Sequence, residues 1–576
     1  MRRPLLFLCS LVLLGALAAT SGQDVRSANA AGSPGVRTTL RRTIVGGEGR
    51  RELQYGPGSP RVTRRLRWTG PGGRIRPLAA FKHLSDIHVL DEESPARVEF
   101  FDECSTPFTG AYRPQDALTT QIGNSMLKRL RRIRRGPVTG RRLQFAISTG
   151  DNVDNNQLNE LRWFIRLLDG RRVHPNSGDP DQGGKRYHGY SREHFDGALS
   201  KENLRRAQKA FDSIGTRIPW YAVLGNHDGL AQGNAPSNPT FEAVATGGIK
   251  PFTSIDAFAD CPDGPEDSDG IQSAFENLVN TRGEPVPPDQ SRHFLSHQEL
   301  VKEFFNSPRR PKGHGLANAP KDPVHDSRAG YYSFRISKRV RGISLDTISY
   351  DGGPNGHIPD PQFQWLERRL QRFSKRYYEG GELKKNRDGR NKLVMIFSHH
   401  SSTTLNNPGA NPEGFPYHCF RETDQPECAD GEGLKTLLQR FPNVIAWVNG
   451  HEHNNEVRRF PAHGLEASRA FWEINTAAHI DWPQQSRLVE VGWKPGRTRK
   501  AADSVIIYGT TVDHAAPLKP NRKKQTRVEY LASLGRVEAY VDACKREGQA
   551  ECDAAGTKRD RNVKLVQKAP FNLGRR

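Results

Sequence analysis

Five short clusters in this 576-residue chain carry side chains that can hold a cation. Asp86 and His88 form a D-x-H. Gly150, Asp151 and Asp154 form a G-D-x-x-D, and Gly225, Asn226, His227 and Asp228 a G-N-H-D. His399 and His400 are adjacent, and Gly450, His451 and His453 make a G-H-x-H. Together they offer carboxylate oxygen, amide oxygen and imidazole nitrogen, and no thiolate. Such donors suit divalent Mn, Fe, Co or Zn. Seven of them (Asp86, His88, Asp151, Asn226, His399, His451 and His453) exceed what one tetrahedral or octahedral ion takes from protein. Two ions sharing a bridging Asp fit the count better. The D-x-H and H-x-H spacings are expected to set both side chains of a pair on one side of an extended segment, since strand direction repeats every two residues.

Each cluster follows an apolar run of strand length, at 81–84, 143–148, 220–224, 393–397 and 444–448. Near-continuous hydrophobicity is the pattern of a strand covered on both faces. Helical patterns at 158–168 and 363–373 lie between some of the runs, and such alternation predicts an α/β fold. In α/β sheets, ligands bind beyond the carboxyl ends of the strands, so the five loops are expected to converge on one edge. The stretches 169–192 and 229–327, rich in Gly, Pro, Asp and Asn, read as long insertions over that edge that shape a substrate pocket. Residues 31–78 read as a loose Gly/Arg/Pro-rich extension before a main domain at 79–515. Residues 516–576 read as a basic C-terminal helix and tail. The helix carries an apolar stripe of Val528, Leu531, Leu534, Val537, Val541 and Cys544, and the basic tail starts near 556.

Composition narrows the class. Hydrophobic residues make up 35% and aromatics 8%, enough for a packed core. One apolar, charge-free run at 5–19 follows Arg2 and Arg3 and precedes small-residue sites, the pattern of a secretory signal over 1–30. It is too short to span a bilayer, and no later segment is apolar enough, which excludes an integral membrane protein. Beyond Cys9, six cysteines remain, and in an exported chain an even number suggests disulfides. Proximity in sequence favours Cys419–Cys428 and Cys544–Cys552, leaving Cys104–Cys261. The formal net charge is +22, and eight basic residues with no acidic one lie between Lys128 and Arg142. A basic surface attracts polyanions such as nucleic acid or an anionic envelope polymer.

The ordered set of motifs resembles the calcineurin-like metallophosphoesterases, over about residues 78–515. The resemblance implies a four-layer α-β-β-α sandwich with two metal ions, Mn, Fe or Zn. It implies Asp86, His88, Asp151 and His453 at one ion, and Asp151, Asn226, His399 and His451 at the other, with His399 as the ligand of the H-H pair. His227 would face the phosphate and stabilise the leaving group, oriented by Asp228. Two such ions would activate a shared water, and the bridging hydroxide would attack phosphorus in line. Asn155 and the G-N-H-D depart from the protein-phosphatase pattern. Asp154 stands where purple acid phosphatases have Tyr. Gly229-Leu230 after the G-N-H-D departs from the 5′-nucleotidases. What remains resembles exported bacterial phosphodiesterases and phosphomonoesterases.

The expected activity is therefore hydrolysis of phosphate mono- or diesters outside the cytoplasm. Two other readings stay open: a secreted nuclease-like phosphodiesterase, and a non-catalytic polyanion-binding envelope protein. After the last motif, His479 and Asp481 are expected to approach the pocket. Oligomeric state has no signal in the sequence.

Overall fold

The five apolar runs fold as strands whose residues are almost all buried, because each lies inside a sheet covered on both faces. The computed structural model describes residues 37–574 except for 100–110, 179–199, 252–269, 274–282, 408–415, 462–468, 547–554 and a few shorter stretches. The leader pattern at 1–30 lies outside the described residues, as do Cys104, Cys261 and Cys552 of the expected Cys104–Cys261 and Cys544–Cys552 pairings. The fold is mixed α/β with several sheets.

Two sheets dominate. One has seven strands in the order Val62–Arg65, Val563–Lys568, Ser504–Asp513, Gln485–Lys494, Arg76–Leu84, Ala146–Thr149 and Trp220–Val223. Its last three strands are mutually parallel. The other has six, in the order Tyr332–Arg335, Val340–Ser344, Leu393–Phe397, Val444–Asn449, Phe471–Asn475 and Glu456–Phe460, with the middle four parallel. The apolar runs that carry the motifs are thus divided three to two between different sheets. The sheets meet through aromatic side chains: Phe81 lies 5.7 Å from Phe397, and Phe145 5.8 Å from Phe334, between ring centroids. Helix Leu158–Asp169 sets Phe164 edge-on to Trp220 at 5.6 Å, and Gly170 closes it in the left-handed conformation (φ 72°) that glycine adopts without strain. Helix Asp360–Phe373 buries Phe363, Trp365, Leu366 and Leu370, and Trp365 meets Tyr331 beside the six-stranded sheet.

Three regions differ from the sequence reading. Residues 31–78 are not a loose extension throughout. Arg42–Gly46 and Leu53–Pro57 form an antiparallel pair, and Val62–Arg65 becomes the outermost strand of the seven-stranded sheet. The C-terminal helix is present at Arg527–Arg546, with Leu531 and Leu534 packed on Leu118 and Ile122 and with Val537 and Val541 near Trp482. The chain beyond that helix is not a free tail, since Val563–Lys568 is a strand between Ser504–Asp513 and Val62–Arg65, with Val563 and Leu565 fully buried. The long insertion after Gly229 contributes to the core: Leu295, Leu300 and Phe304 are buried there, and Phe304 faces Trp220. The Cys419–Cys428 disulfide is formed, with a Cα–Cα distance of 5.6 Å. Among the described residues, no helix is long and apolar enough to cross a membrane.

Candidate metal centre

Every predicted ligand sits just past the carboxyl end of a parallel strand. Asp86 and His88 follow Arg76–Leu84, Asp151 follows Ala146–Thr149, and Asn226 opens the short helix Asn226–Gly229 after Trp220–Val223. His399 follows Leu393–Phe397, and His451 and His453 follow Val444–Asn449. The carboxyl ends of the two sheets face one another here. The pairs do not share a side of an extended segment, as their spacing had suggested. Asp86, His88, Asp151, His451 and His453 all have positive φ, between 46° and 73°. This left-handed backbone is sparsely populated by side-chain-bearing residues, and it costs about 1 kcal/mol or more at each position. It aims successive side chains inward from tight loops. The motif glycines leave room for it: a Cβ at Gly150 would strike the His399 ring, and one at Gly450 would strike Ser85 and Asp86.

The side chains gather into two adjoining groups. Asp86, His88, Asp151 and His453 each offer a ligand atom to one small volume. His88 Nε2 is 3.5 Å from Asp151 Oδ2, and His453 Nε2 is 3.4 Å from Asp86 Oδ1. Asp151 Oδ2 also lies 3.1 Å from His399 Nε2, which is 3.1 Å from His451 Nδ1. Asn226 belongs to the same turn as His227, whose backbone N–H donates to Asp151 Oδ1 at 3.0 Å. The Asn226 amide nitrogen donates to the Gly233 carbonyl, while its buried Oδ1 has no hydrogen-bond partner. The structure thus brings six of the seven predicted side chains to one place, with Asp151 between the groups and Asn226 on the adjoining turn.

Outer hydrogen bonds fix the ring orientations. His88 Nδ1 bonds Asp154 Oδ1 at 3.0 Å, His453 Nδ1 bonds Asp481 Oδ2 at 2.6 Å, and His399 Nδ1 bonds the Thr149 carbonyl at 2.8 Å. Each leaves Nε2 turned toward the carboxylates, the usual arrangement of a metal-binding histidine. His88 Nε2 is buried and makes no hydrogen bond. His400 lies beside His399 and His451, but both of its ring nitrogens are engaged, by Thr347 Oγ1 and the Pro354 carbonyl. His399 is therefore the member of the pair with a nitrogen to offer. Buried, hydrogen-bond-orphaned donors beside two carboxylates fit a cation, and these clusters could bind metal ions.

Charge reinforces the geometry. Burial pushes the two carboxyls up, but neighbouring imidazoles more than offset it. His399 and His227 hold Asp151 well below the usual carboxylate range, and His453 and His399 hold Asp86 at about 2. Conversely, burial lowers His399 and His453, and their Asp partners override it, raising them to about 9 and about 10. Burial and the neighbouring His399 lower His451 to about 4, which leaves it a neutral lone-pair donor.

His227 is about one-fifth exposed, and its Nδ1 bonds the Asp154 carbonyl at 2.6 Å. Asp228 does not orient it. The Asp228 carboxylate is fully buried and accepts hydrogen bonds from the backbone of Asn152, Val153 and Gly225 and from the Asn152 amide, tying the Asp151 loop to the Asn226 turn. A short acid following His227 caps backbone N–H groups more readily than it reaches back to the ring. His479 is buried and bonds Ser486 Oγ, while its backbone N–H donates to the Asp86 carbonyl, so it supports the loop from behind. Asp481 does reach the centre, through His453.

The sequence reading missed a belt of buried charges around one side. Arg97 pairs with Asp154 at 2.8 Å, Asp116 at 2.6 Å and Glu99 at 2.9 Å. Asp116 also accepts from the Arg113 backbone N–H, and the Arg113 guanidinium pairs with Asp481. The chain of contacts runs from His88 through Asp154, Arg97, Asp116, Arg113 and Asp481 to His453. No short motif marks it; the only sequence signal was Asp154 at the end of its G-D-x-x-D.

No family model matches the chain, and no curated protein matches it. Among solved structures it is similar to one described as "Structure of PhoD", at 11% identity and a TM-score of 0.29, covering 87% of this chain and 83% of that one. That likeness is too distant to bear on function.

Proposed function

We propose that the chain is a metal-dependent phosphoesterase of the calcineurin-like kind, built as an α-β-β-α sandwich and hydrolysing phosphate mono- or diesters. The observation that carries the reading is the convergence of six carboxylate and imidazole donors beside the Asn226 turn, with outer hydrogen bonds that turn ring nitrogens toward shared carboxylates. Asp86, His88, Asp151 and His453 would hold one divalent ion, and Asp151, Asn226, His399 and His451 a second. Such ions supply Lewis acidity to a phosphoryl group and acidify bound water. The chain's own residues do the remaining work. Asp151 and Asp86 concentrate negative charge where cations bind. Asp154 and Asp481 orient His88 and His453. His227, held through Nδ1 and open at its rim, is placed to donate a hydrogen bond or proton to a leaving oxygen.

The leader pattern and the Cys419–Cys428 disulfide support an extracytoplasmic setting for this activity. A polyanionic partner, bound away from the centre, is favoured by one further observation. Lys82, Arg131, Arg134, Arg135, Arg142 and Arg217 line a cleft at the amino ends of the strands Ala146–Thr149 and Trp220–Val223. The decisive test is turnover of 4-nitrophenyl phosphate and bis(4-nitrophenyl) phosphate, with and without added Mn, alongside metal counting. Phosphate-ester cleavage that Asp151→Ala abolishes, in a protein that stays folded, is the expected result. Cleavage retained in that variant would exclude this centre, and absence of cleavage by the metal-loaded chain would favour the polyanion-binding reading.

A further inference from the structure

A second group of metal-type donors lies outside this centre. His297 opens the helix His297–Glu303, Asp322 and His325 sit on the loop beyond it, and Asp346 comes after the strand Val340–Ser344. One donor atom from each of His297, Asp322 and His325 lies within 4.8 Å of the others. The His297 side chain is 3% exposed, and its two nitrogens differ in kind. Nδ1 is 3.0 Å from Ser327 Oγ, and that hydroxyl spends its one proton on the Arg328 carbonyl at 3.1 Å. Nδ1 is therefore the donor.

His297 Nε2 has no hydrogen-bond partner. Its neighbours are two carboxylate oxygens, Asp322 Oδ2 at 3.8 Å and Asp346 Oδ2 at 3.9 Å. Neither a lone pair nor an N–H is satisfied at those distances. The His325 ring stacks on His297 at 4.2 Å between centroids and closes another side of the group. Asp346 is itself buried and forms no ion pair with Lys or Arg among the described residues, accepting only from the Ile348 N–H and the Tyr350 hydroxyl. A buried ring nitrogen that faces two carboxylate oxygens, out of hydrogen-bond reach of both, calls for a cation. Ligands about 2.0–2.2 Å from a tetrahedral ion lie roughly 3.3–3.6 Å apart; the two His297 distances are slightly longer, and His325 Nδ1 now bonds Asp322 Oδ2 at 2.8 Å, a contact that a bound ion would replace.

We propose that His297, Asp322, His325 and Asp346 form a separate mononuclear site for a divalent transition metal, with zinc the best match to two imidazoles and two carboxylates. The site pins three segments together beneath the Asn226–Gly229 turn. Tyr350, which bonds Asp346, stacks edge-on against His297 and His325 and packs on Gly229, where a Cβ would strike its ring.

The test is anomalous scattering at the zinc edge from crystals of the full chain grown with zinc chloride. A peak bonded to His297 Nε2 and Asp322 is expected. A map with no peak there overturns the site. In solution, the zinc retained per chain after gel filtration should fall by one equivalent in His297→Gln. It should fall likewise in His325→Gln, whose side chain is 27% exposed and leaves the core filled. It should not lose this equivalent in Asp151→Ala, so failure of the first centre and failure of this one read differently. A wild-type zinc count in folded His325→Gln overturns the site as well.

Discussion

Among single residues, Asp154 and His227 separate holding cations from using them. Asp154 touches His88 and Arg97 but is not among the seven predicted ligands. Asp154→Asn should weaken cation binding about 10–100-fold, the usual effect of removing an outer partner of a metal-binding histidine. Isothermal titration with Mn checks this. It should also lower stability by about 3–5 kcal/mol, because Arg97 keeps its buried charge and loses one of three acids; urea unfolding measures that part. His227→Ala should do the reverse. Metal stoichiometry should stay at the wild-type value while kcat falls about 10²–10⁴-fold, the range for losing a general acid. A His227→Ala protein that lost an equivalent of metal would instead place the ring among the ligands.

Among elements, the strand-to-loop junctions decide the outcome. Gly150→Ala adds one methyl group where the His399 ring already lies, at a φ of 94°. It should abolish tight Mn binding while far-UV circular dichroism keeps the native spectrum, because the strand Ala146–Thr149 ends before the affected bond. Phe81→Ala acts through packing alone. Phe81 is fully buried between Phe145 and Phe397, and its loss should cost about 3–5 kcal/mol of unfolding free energy in urea. The junctions were legible in the sequence because each buried strand is an apolar run that stops abruptly at Asp, Asn or His. Their backbone was not legible, since residue spacing carries no sign of φ, and the extended geometry inferred for D-x-H and H-x-H was replaced by left-handed turns. The strands Arg42–Gly46, Leu53–Pro57 and Val62–Arg65 were illegible for a different reason. They are short, half-exposed and rich in Arg, Thr and Gly, so no hydrophobic period marks them. The role of Asp228 was misread because adjacency to His227 says nothing about where a short carboxylate finds its donors.

At the scale of the whole molecule, the centre exists only because two sheets present their carboxyl ends to each other, and neither alone supplies a full set. Asp86, His88, Asp151 and Asn226 come from one sheet, and His399, His451 and His453 from the other. Cation binding should therefore resist unfolding globally. At a free Mn concentration of 100 times Kd, one bound ion adds about 2.7 kcal/mol, and chelation with EDTA should lower the thermal midpoint accordingly. A midpoint that EDTA leaves unchanged would show that the folded chain holds no ion it loses on unfolding. The C-terminal strand belongs to the same scale. Val563–Lys568 lies between Ser504–Asp513 and Val62–Arg65, and among the described residues the latter has no other neighbour in its sheet. A ribosome adds roughly 5–20 residues per second, so Val62–Arg65 waits about 25–100 s after its own synthesis before this partner is made. Throughout that interval the nascent chain carries an unzipped edge, which closes only when a strand about 500 residues further along the chain emerges.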